Sequence, residues 1–81
     1  MAEKNRKYTS EQKQIIGNRI NKIRLEKGMT LEEFGKLFGA TKSNVSKWCK
    51  GQALPNPERM KQIAKIGDTT ISELIKIDEV K

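Results

Sequence analysis

Residues 31–50 read LEEFGKLFGATKSNVSKWCK and have the pattern of two short helices joined by a tight turn. Gly35 supplies a residue without bulk where two helices must cross closely, and Gly39 supplies a turn residue that tolerates positive φ. Thr41 is a candidate N-cap for the second helix of the pair. The apolar positions where the two helices must pack are Phe34, Phe38, Ala40, Val45 and Trp48. The stretch therefore predicts a helix-turn-helix unit with Val45 and Trp48 on the buried side.

One longer helix is expected before this unit. Its cap is Thr9 or Ser10, and it runs to about Lys27, where Gly28 ends it with a left-handed cap. Its apolar face is formed by Ile16, Ile20 and Ile23, at four- and three-residue spacing. Thr30 and Glu33 then form a capping box for the next helix. The apolar stripe predicted for that helix is Leu31, Phe34, Leu37 and Phe38.

Two further helices are expected after the unit. Asn56 followed by Pro57 is a helix start, because proline at the first helical position loses no hydrogen bond. Thr70 and Glu73 form a second predicted capping box. The inner faces are predicted as Met60, Ile63 and Ala64, and then Ile71, Leu74 and Ile75. The sequence thus predicts a flexible basic arm at 1–8, an all-α domain of five helices at 9–77 and a short tail at 78–81.

The positive charge of the chain is concentrated in its first half. The 81 residues carry a formal net charge of +7. Residues 1–50 hold 12 Lys or Arg against 5 Asp or Glu, whereas residues 51–81 hold 5 of each. Such asymmetry is typical of phosphate binding, and a basic surface that serves solubility alone is the alternative. The arm residues Lys4, Arg6 and Lys7 either add DNA contacts or are simply solvated.

Composition excludes several functional classes. The sequence has no histidine and one cysteine, Cys49, so an intramolecular disulfide, a Cys/His zinc site and a His-based triad are not expected. With no glycine-rich phosphate loop, and with a chain too short for a catalytic cleft, neither an enzyme, a cofactor nor a small-molecule ligand is expected. No apolar stretch is long enough for a signal peptide or a membrane span, which favours a cytoplasmic, nucleoid-associated protein.

The chain resembles the lambda-repressor-like helix-turn-helix domains of phage repressors, Cro proteins and related bacterial regulators, also called the xenobiotic-response-element family. The resemblance rests on residues 31–50, on the preceding Gly28-Met29-Thr30, and on Asn56-Pro57-Glu58 and Ile71-Ser72-Glu73-Leu74 after it. It implies a five-helix lambda-repressor-like domain with the helix-turn-helix at helices 2 and 3. It also implies a transcription regulator, expected to be a repressor of phage or mobile-element type, with its recognition helix, about 41–50, in the major groove of duplex DNA.

Carried over by position, the resemblance implies base contacts from Lys42, Ser43 and Lys47, with Asn44 close by. The alternative for these side chains is a solvated helix face. The expected phosphate contacts are Thr30 and Lys50 on either side of the recognition helix, and more weakly Arg19 and Lys22 on the first helix.

Three positions depart from the family pattern. Leu31 and Lys42 stand where glutamine is frequent, so one phosphate anchor is lost and base preference differs from that of relatives. Cys49 replaces a glutamate that in many relatives pairs with the arginine matching Arg24. Because a thiol does not neutralise a guanidinium, we expect Arg24 to find another carboxylate, with Glu33 as the candidate, or to stay partly hydrated.

Binding as a homodimer to a pseudo-palindromic operator is expected, because one such domain buries little surface on a half-site. Ile75, Ile77 and Val80 are the candidate dimer residues, and closing the monomer core is their alternative role. A second hypothesis is a protein-interaction module, antirepressor or antitoxin-like, that keeps the fold and uses an exposed Leu31 for a protein partner.

Overall fold

The computed structural model describes residues 8–77, which form five α-helices and contain no β-strand. The helices are α1 (Ser10–Glu26), α2 (Leu31–Lys36), α3 (Lys42–Cys49), α4 (Pro57–Ile66) and α5 (Ile71–Ile75). The predicted all-α fold with five helices in this order is confirmed. None of the helices in this described part is long and apolar enough to cross a membrane.

Each helix begins at a side chain that accepts a hydrogen bond from a backbone N–H in the first turn. These caps are Thr9, Thr30, Thr41, Asn56 and Thr70. In α1, α2 and α3 the third helical residue returns a bond to the cap backbone, which completes a capping box. Because the first amides of a helix have no partner within it, these caps decide where each helix starts. At Thr70 one of the two predicted bonds is formed, from Glu73 N–H to the Thr70 hydroxyl oxygen.

The chain leaves α1 and α2 through glycines in the left-handed region. Gly28 has φ 67° and Gly39 has φ 69°, a conformation that side chains with a Cβ rarely adopt. Both glycines were predicted at these ends. The Ala40 N–H then donates to the Gly35 carbonyl oxygen at 2.9 Å, which closes the turn of the helix-turn-helix.

All five helices contribute to one apolar core. Its fully buried side chains are Ile16, Ile20, Phe34, Val45 and Ile63. Phe34 and Phe38 pack edge to face with ring centroids 5.0 Å apart. The ring centroid of Trp48 lies 6.5 Å from that of Phe38. Trp48 is 3% exposed, so it is a core residue and does not present its ring for stacking on bases.

One predicted core position is wrong. Leu37 is 46% exposed, although the stripe of α2 placed it inside. Leu37 keeps helical backbone angles, but it follows the buried Gly35 by two residues and is therefore turned by about 200° from it, whereas Phe38 follows Phe34 by four residues and stays inward.

Two glycines permit close approach between elements. A Cβ on Gly35 would lie 2.7 Å from the Ala40 carbonyl oxygen and 3.1 Å from Val45 Cγ2, which confirms the predicted need for a small residue there. A Cβ on Gly17 would overlap the Trp48 carbonyl oxygen and lie 3.2 Å from that of Cys49. Gly17 therefore sets the distance at which α1 packs against the end of α3, a role that the sequence did not reveal.

We predict that Gly17→Ala lowers the free energy of unfolding by about 2 kcal/mol, because the methyl group meets backbone that cannot move aside alone. Thermal or urea unfolding followed by circular dichroism measures the change. Lys22→Ala, at an exposed position on the same helix, is the control and is expected to stay within about 0.5 kcal/mol of wild type. A Gly17→Ala protein as stable as wild type would contradict the close contact.

Candidate nucleic-acid interface

A shallow open groove lies between the start of α2 and the exposed face of α3. We call it the α2–α3 groove, and its lining residues are Leu31, Thr41, Lys42, Ser43, Ser46, Lys47, Lys50 and Gln52. Three of these eight residues are lysines and none is acidic. The groove is therefore a positively charged surface, suited to an anionic partner.

Burial of one side of α3 places its polar side on this groove. Val45 is fully buried and Trp48 nearly so, which fixes the rotation of α3 about its axis. Lys42, Ser43 and Lys47 then lie together on the exposed side. The structure thus brings three of the four expected base-contacting residues onto one face. Ser46, half-buried in the same groove, joins them.

Asn44, the fourth expected base contact, has another role. Its Oδ1 accepts from the Thr41 N–H at 3.1 Å, and its own N–H donates to Thr41 Oγ1 at 3.1 Å. The side chain is half-buried and does not line the α2–α3 groove. Asn44 therefore fixes the start of α3, and its expected base contact stays a prediction.

The expected phosphate contacts are not in one place. Lys50 is exposed at the C-cap of α3 and lines the groove. Thr30 is exposed next to the groove, and its hydroxyl oxygen accepts from the Glu33 N–H at 3.1 Å, so its hydroxyl proton remains available to a phosphate. Lys22 is exposed on α1 beside Leu25, outside the groove.

Arg19 closes the end of α5. Its Nη1 donates to the carbonyl oxygens of Glu73 at 3.2 Å and Leu74 at 2.9 Å, and also to that of Lys76. The last carbonyls of a helix have no partner within it, so a guanidinium with several donors is suited to this position. Arg19 thus joins α1 to α5, and its expected phosphate contact stays a prediction.

Arg24 has neutral partners. Its Nε and Nη2 donate to Asn21 Oδ1 at 3.2 and 2.8 Å, and its Nη1 donates to the Met29 carbonyl oxygen at 2.7 Å. Glu33, the expected substitute partner, is used elsewhere, because its Oε1 accepts from the Thr30 N–H. The expected carboxylate pairing of Arg24 with Glu33 is therefore wrong, and a side-chain amide together with a backbone carbonyl takes its place.

Cys49 sits beside Arg24 in the contact between α1 and α3. Burial raises the pKa of the Cys49 thiol, and the charge and hydrogen bond of Arg24 lower it by less. The thiol is therefore neutral at pH 7 and packs as a small apolar group. Gln14 adds a polar bond to this contact, because its Nε2 donates to the Cys49 carbonyl oxygen at 3.2 Å.

Arg59 is a positioning residue that sequence reasoning missed. From α4, its Nε donates to the Phe38 carbonyl oxygen at 3.2 Å and its Nη2 donates to that of Gly39 at 2.9 Å. These bonds tie α4 to the turn between α2 and α3. No local pattern marks this role, because the contact spans about 20 residues of chain.

Two of the three candidate dimer residues, Ile75 and Ile77, lie within the described residues. Ile75 and Ile77 are half-buried and pack against the core. Val80 and the arm residues Lys4, Arg6 and Lys7 lie outside the described residues. Within residues 8–77, no cluster of His, Cys, Asp and Glu has the geometry to hold a metal ion.

We predict that the apparent pKa of Cys49, measured from the pH dependence of its alkylation, lies above that of a free cysteine. Arg24→Met is expected to raise it further, because the groups that favour the thiolate are removed while burial remains. Lys50→Met, which removes an exposed neighbouring charge, is the control and should leave the value near that of wild type. A lower pKa in Arg24→Met would contradict the contact.

Comparison with known proteins agrees with this architecture. A family model described as helix-turn-helix matches residues 20–74, from the middle of α1 to α5. The HTH-type transcriptional activator BcrR of Enterococcus faecalis is 31% identical over 65 residues. That match covers 80% of this chain and 32% of BcrR, so the chain spans about a third of that relative.

A solved structure also matches. The solution structure of the SOS-response transcriptional repressor LexA from Eubacterium rectale superposes with a TM-score of 0.74 and 28% identity, covering 88% of this chain and 81% of that one. The family match includes α2, the turn and α3, and it extends over most of the chain. The chain therefore belongs to the Cro/C1-type helix-turn-helix family, whose members are DNA-binding transcription regulators.

Proposed function

We propose that this chain recognises a specific duplex DNA site with α3 in the major groove and thereby regulates transcription. The observation that supports this most directly is the common exposed face of Lys42, Ser43 and Lys47, opposite the buried Val45 and Trp48. The major groove of B-DNA is about 12 Å wide and admits an α-helix. Base edges there differ between all four base pairs, so side chains on one helix face are sufficient to select a sequence.

The side chains of this face favour certain bases. Lysine donates to the guanine O6 and N7, whereas serine both donates and accepts and so suits several base edges. We therefore expect guanine at the positions that Lys42 and Lys47 contact. Ser43 would add a looser preference between them.

Phosphate contacts position α3 without selecting the sequence. Lys50 follows α3 and Thr30 precedes α2, so they bracket the α2–α3 groove. We propose that both bind the DNA backbone, with Lys22 as an outlying contact. The arm residues Lys4, Arg6 and Lys7 would add backbone or minor-groove contacts.

We further propose that the chain acts as a homodimer on a pseudo-palindromic operator, because a single half-site gives such a small domain little contact area. Repression by occupying an operator is the favoured mode. The solved LexA neighbour is named as a transcriptional repressor, whereas BcrR is named as a transcriptional activator. A phage or mobile-element origin and a cytoplasmic, nucleoid-associated location belong to the same proposal.

The protein-interaction alternative loses its main support in this geometry. It relied on an exposed Leu31, and Leu31 is half-buried, packs against the core and lies among lysines. The following experiment distinguishes binding to a protein partner from binding to a specific DNA site.

We predict that selection from a random duplex library at about 150 mM salt enriches a two-fold symmetric site, because that salt concentration weakens non-specific phosphate binding and exposes base preference. Enrichment of a site without symmetry would contradict the dimer. An absence of enrichment would contradict sequence-specific binding and favour a protein partner.

The selected site then tests the assigned roles. Lys47→Ala is expected to relax base preference at one position in each half-site. Lys50→Ala is expected to lower the affinity for all DNA sequences about equally. It should also reduce the slope of log affinity against log salt concentration by roughly one. Lys61→Ala removes the same charge from an exposed position of α4 outside the groove, so its DNA affinity, base preference and salt slope should match those of wild type. The opposite pattern for Lys47 and Lys50 would show that their roles are exchanged.

A further inference from the structure

We propose that Leu31 is a specificity-determining residue that contacts the C5-methyl group of a thymine in the DNA site. The proposal rests on the proposed function and names what one part of the α2–α3 groove recognises. It gives the chain a thymine preference that its lysines and serines do not supply.

The position of Leu31 carries the inference. Leu31 is the first residue of α2, yet its side chain lines the same groove as Lys42, Ser43 and Lys47 of α3. It is the one apolar side chain among the eight residues that line this groove. The groove therefore combines an apolar spot with surrounding donors.

The side chain is also held in place. Thr30 fixes the start of α2 through its capping box with Glu33, and Phe34 is fully buried one turn later. Leu31 itself is half-buried and packs against the core. Its exposed part thus presents a fixed apolar surface to whatever occupies the groove.

The apolar surface of Leu31 favours a thymine methyl group over other parts of DNA. The lysines make the groove complementary to the negative charge of DNA, and in the major groove thymine differs from cytosine by its C5-methyl group. Leucine neither donates nor accepts a hydrogen bond, so a phosphate oxygen or a polar base edge gains nothing from it. A thymine methyl gains burial against Leu31, so the site favours thymine at the position that this side chain reaches.

The test removes single methyl groups from the DNA. In the selected site, each thymine is replaced in turn by deoxyuridine, which lacks only the C5-methyl, and affinity is measured for the wild-type protein. We expect one position in each half-site at which binding weakens by about fourfold, as burial of one methyl-sized group implies. In Leu31→Ala this loss should shrink to less than about 1.5-fold, because the apolar partner is gone.

A matched variant distinguishes contact from general packing. Leu37→Ala removes an exposed leucine of the same segment that does not line the groove, so it should keep the wild-type deoxyuridine pattern. Leu31→Gln keeps most of the side-chain volume and should lose the methyl sensitivity just as Leu31→Ala does. If Leu31→Ala does not fold, Leu31→Gln serves as the test of the thymine contact.

Two results would overturn the proposal. One is a wild-type protein that is indifferent to deoxyuridine at every thymine. The other is an equal penalty in the wild-type protein and both Leu31 variants, which would mean that Leu31 only supports α2. An enriched site with either result leaves the proposed function standing, whereas failure to enrich any site removes both.

Discussion

The burial of Val45 and Trp48 is the constraint on which the rest of the molecule depends. These two side chains fix the rotation of α3, and the contact of Gly17 with the Trp48 and Cys49 carbonyls fixes its distance from α1. Because α3 has only eight residues, this anchoring leaves its polar side little freedom. The groove residues Lys42 and Lys47 are therefore presented by a rigid element, as recognition of base edges requires.

Arginine and lysine divide the positive charge of the described residues between two tasks. Arg19, Arg24 and Arg59 each donate to backbone carbonyls, and they connect α1 to α5, stabilise the end of α1, and tie α4 to the turn of the helix-turn-helix. Their planar, multiple donors suit carbonyl clusters. The lysines of the α2–α3 groove keep their charge on the surface. Net charge alone therefore overestimates how many cations are free to meet phosphate.

Local sequence patterns predicted most of the fold because local chemistry decides it. Thr30 with Glu33 and Asn56 with Pro57 act within one helical turn, and Gly28 and Gly39 act at single residues, so their positions were predictable. The exposed face of α3 followed from the spacing of Val45 and Trp48. Leu37 was misplaced because the buried side of α2 includes Gly35, and Leu37 is turned by about 200° from that residue.

What the sequence did not reveal depends on contacts between distant segments. The bonds of Arg19 to the end of α5 span more than 50 residues, and those of Arg59 span about 20. The substitution of Cys49 signalled that Arg24 needed a new partner, but charge alone pointed to Glu33, whose carboxylate already caps α2. The neutral acceptors that Arg24 uses, Asn21 and Met29, became visible only in the folded chain.

The central claim is that the α2–α3 groove is the main DNA-contacting face of the domain. Backbone amide chemical shifts of the ¹⁵N-labelled protein, followed while a duplex is added, test this most directly. We predict that the largest changes fall at Thr30 and Leu31, across Lys42–Lys47, and at Lys50 and Gln52. Amides of α4 beside Lys61 should change little. Largest changes on α4 and α5, with small changes across the groove, would contradict the account.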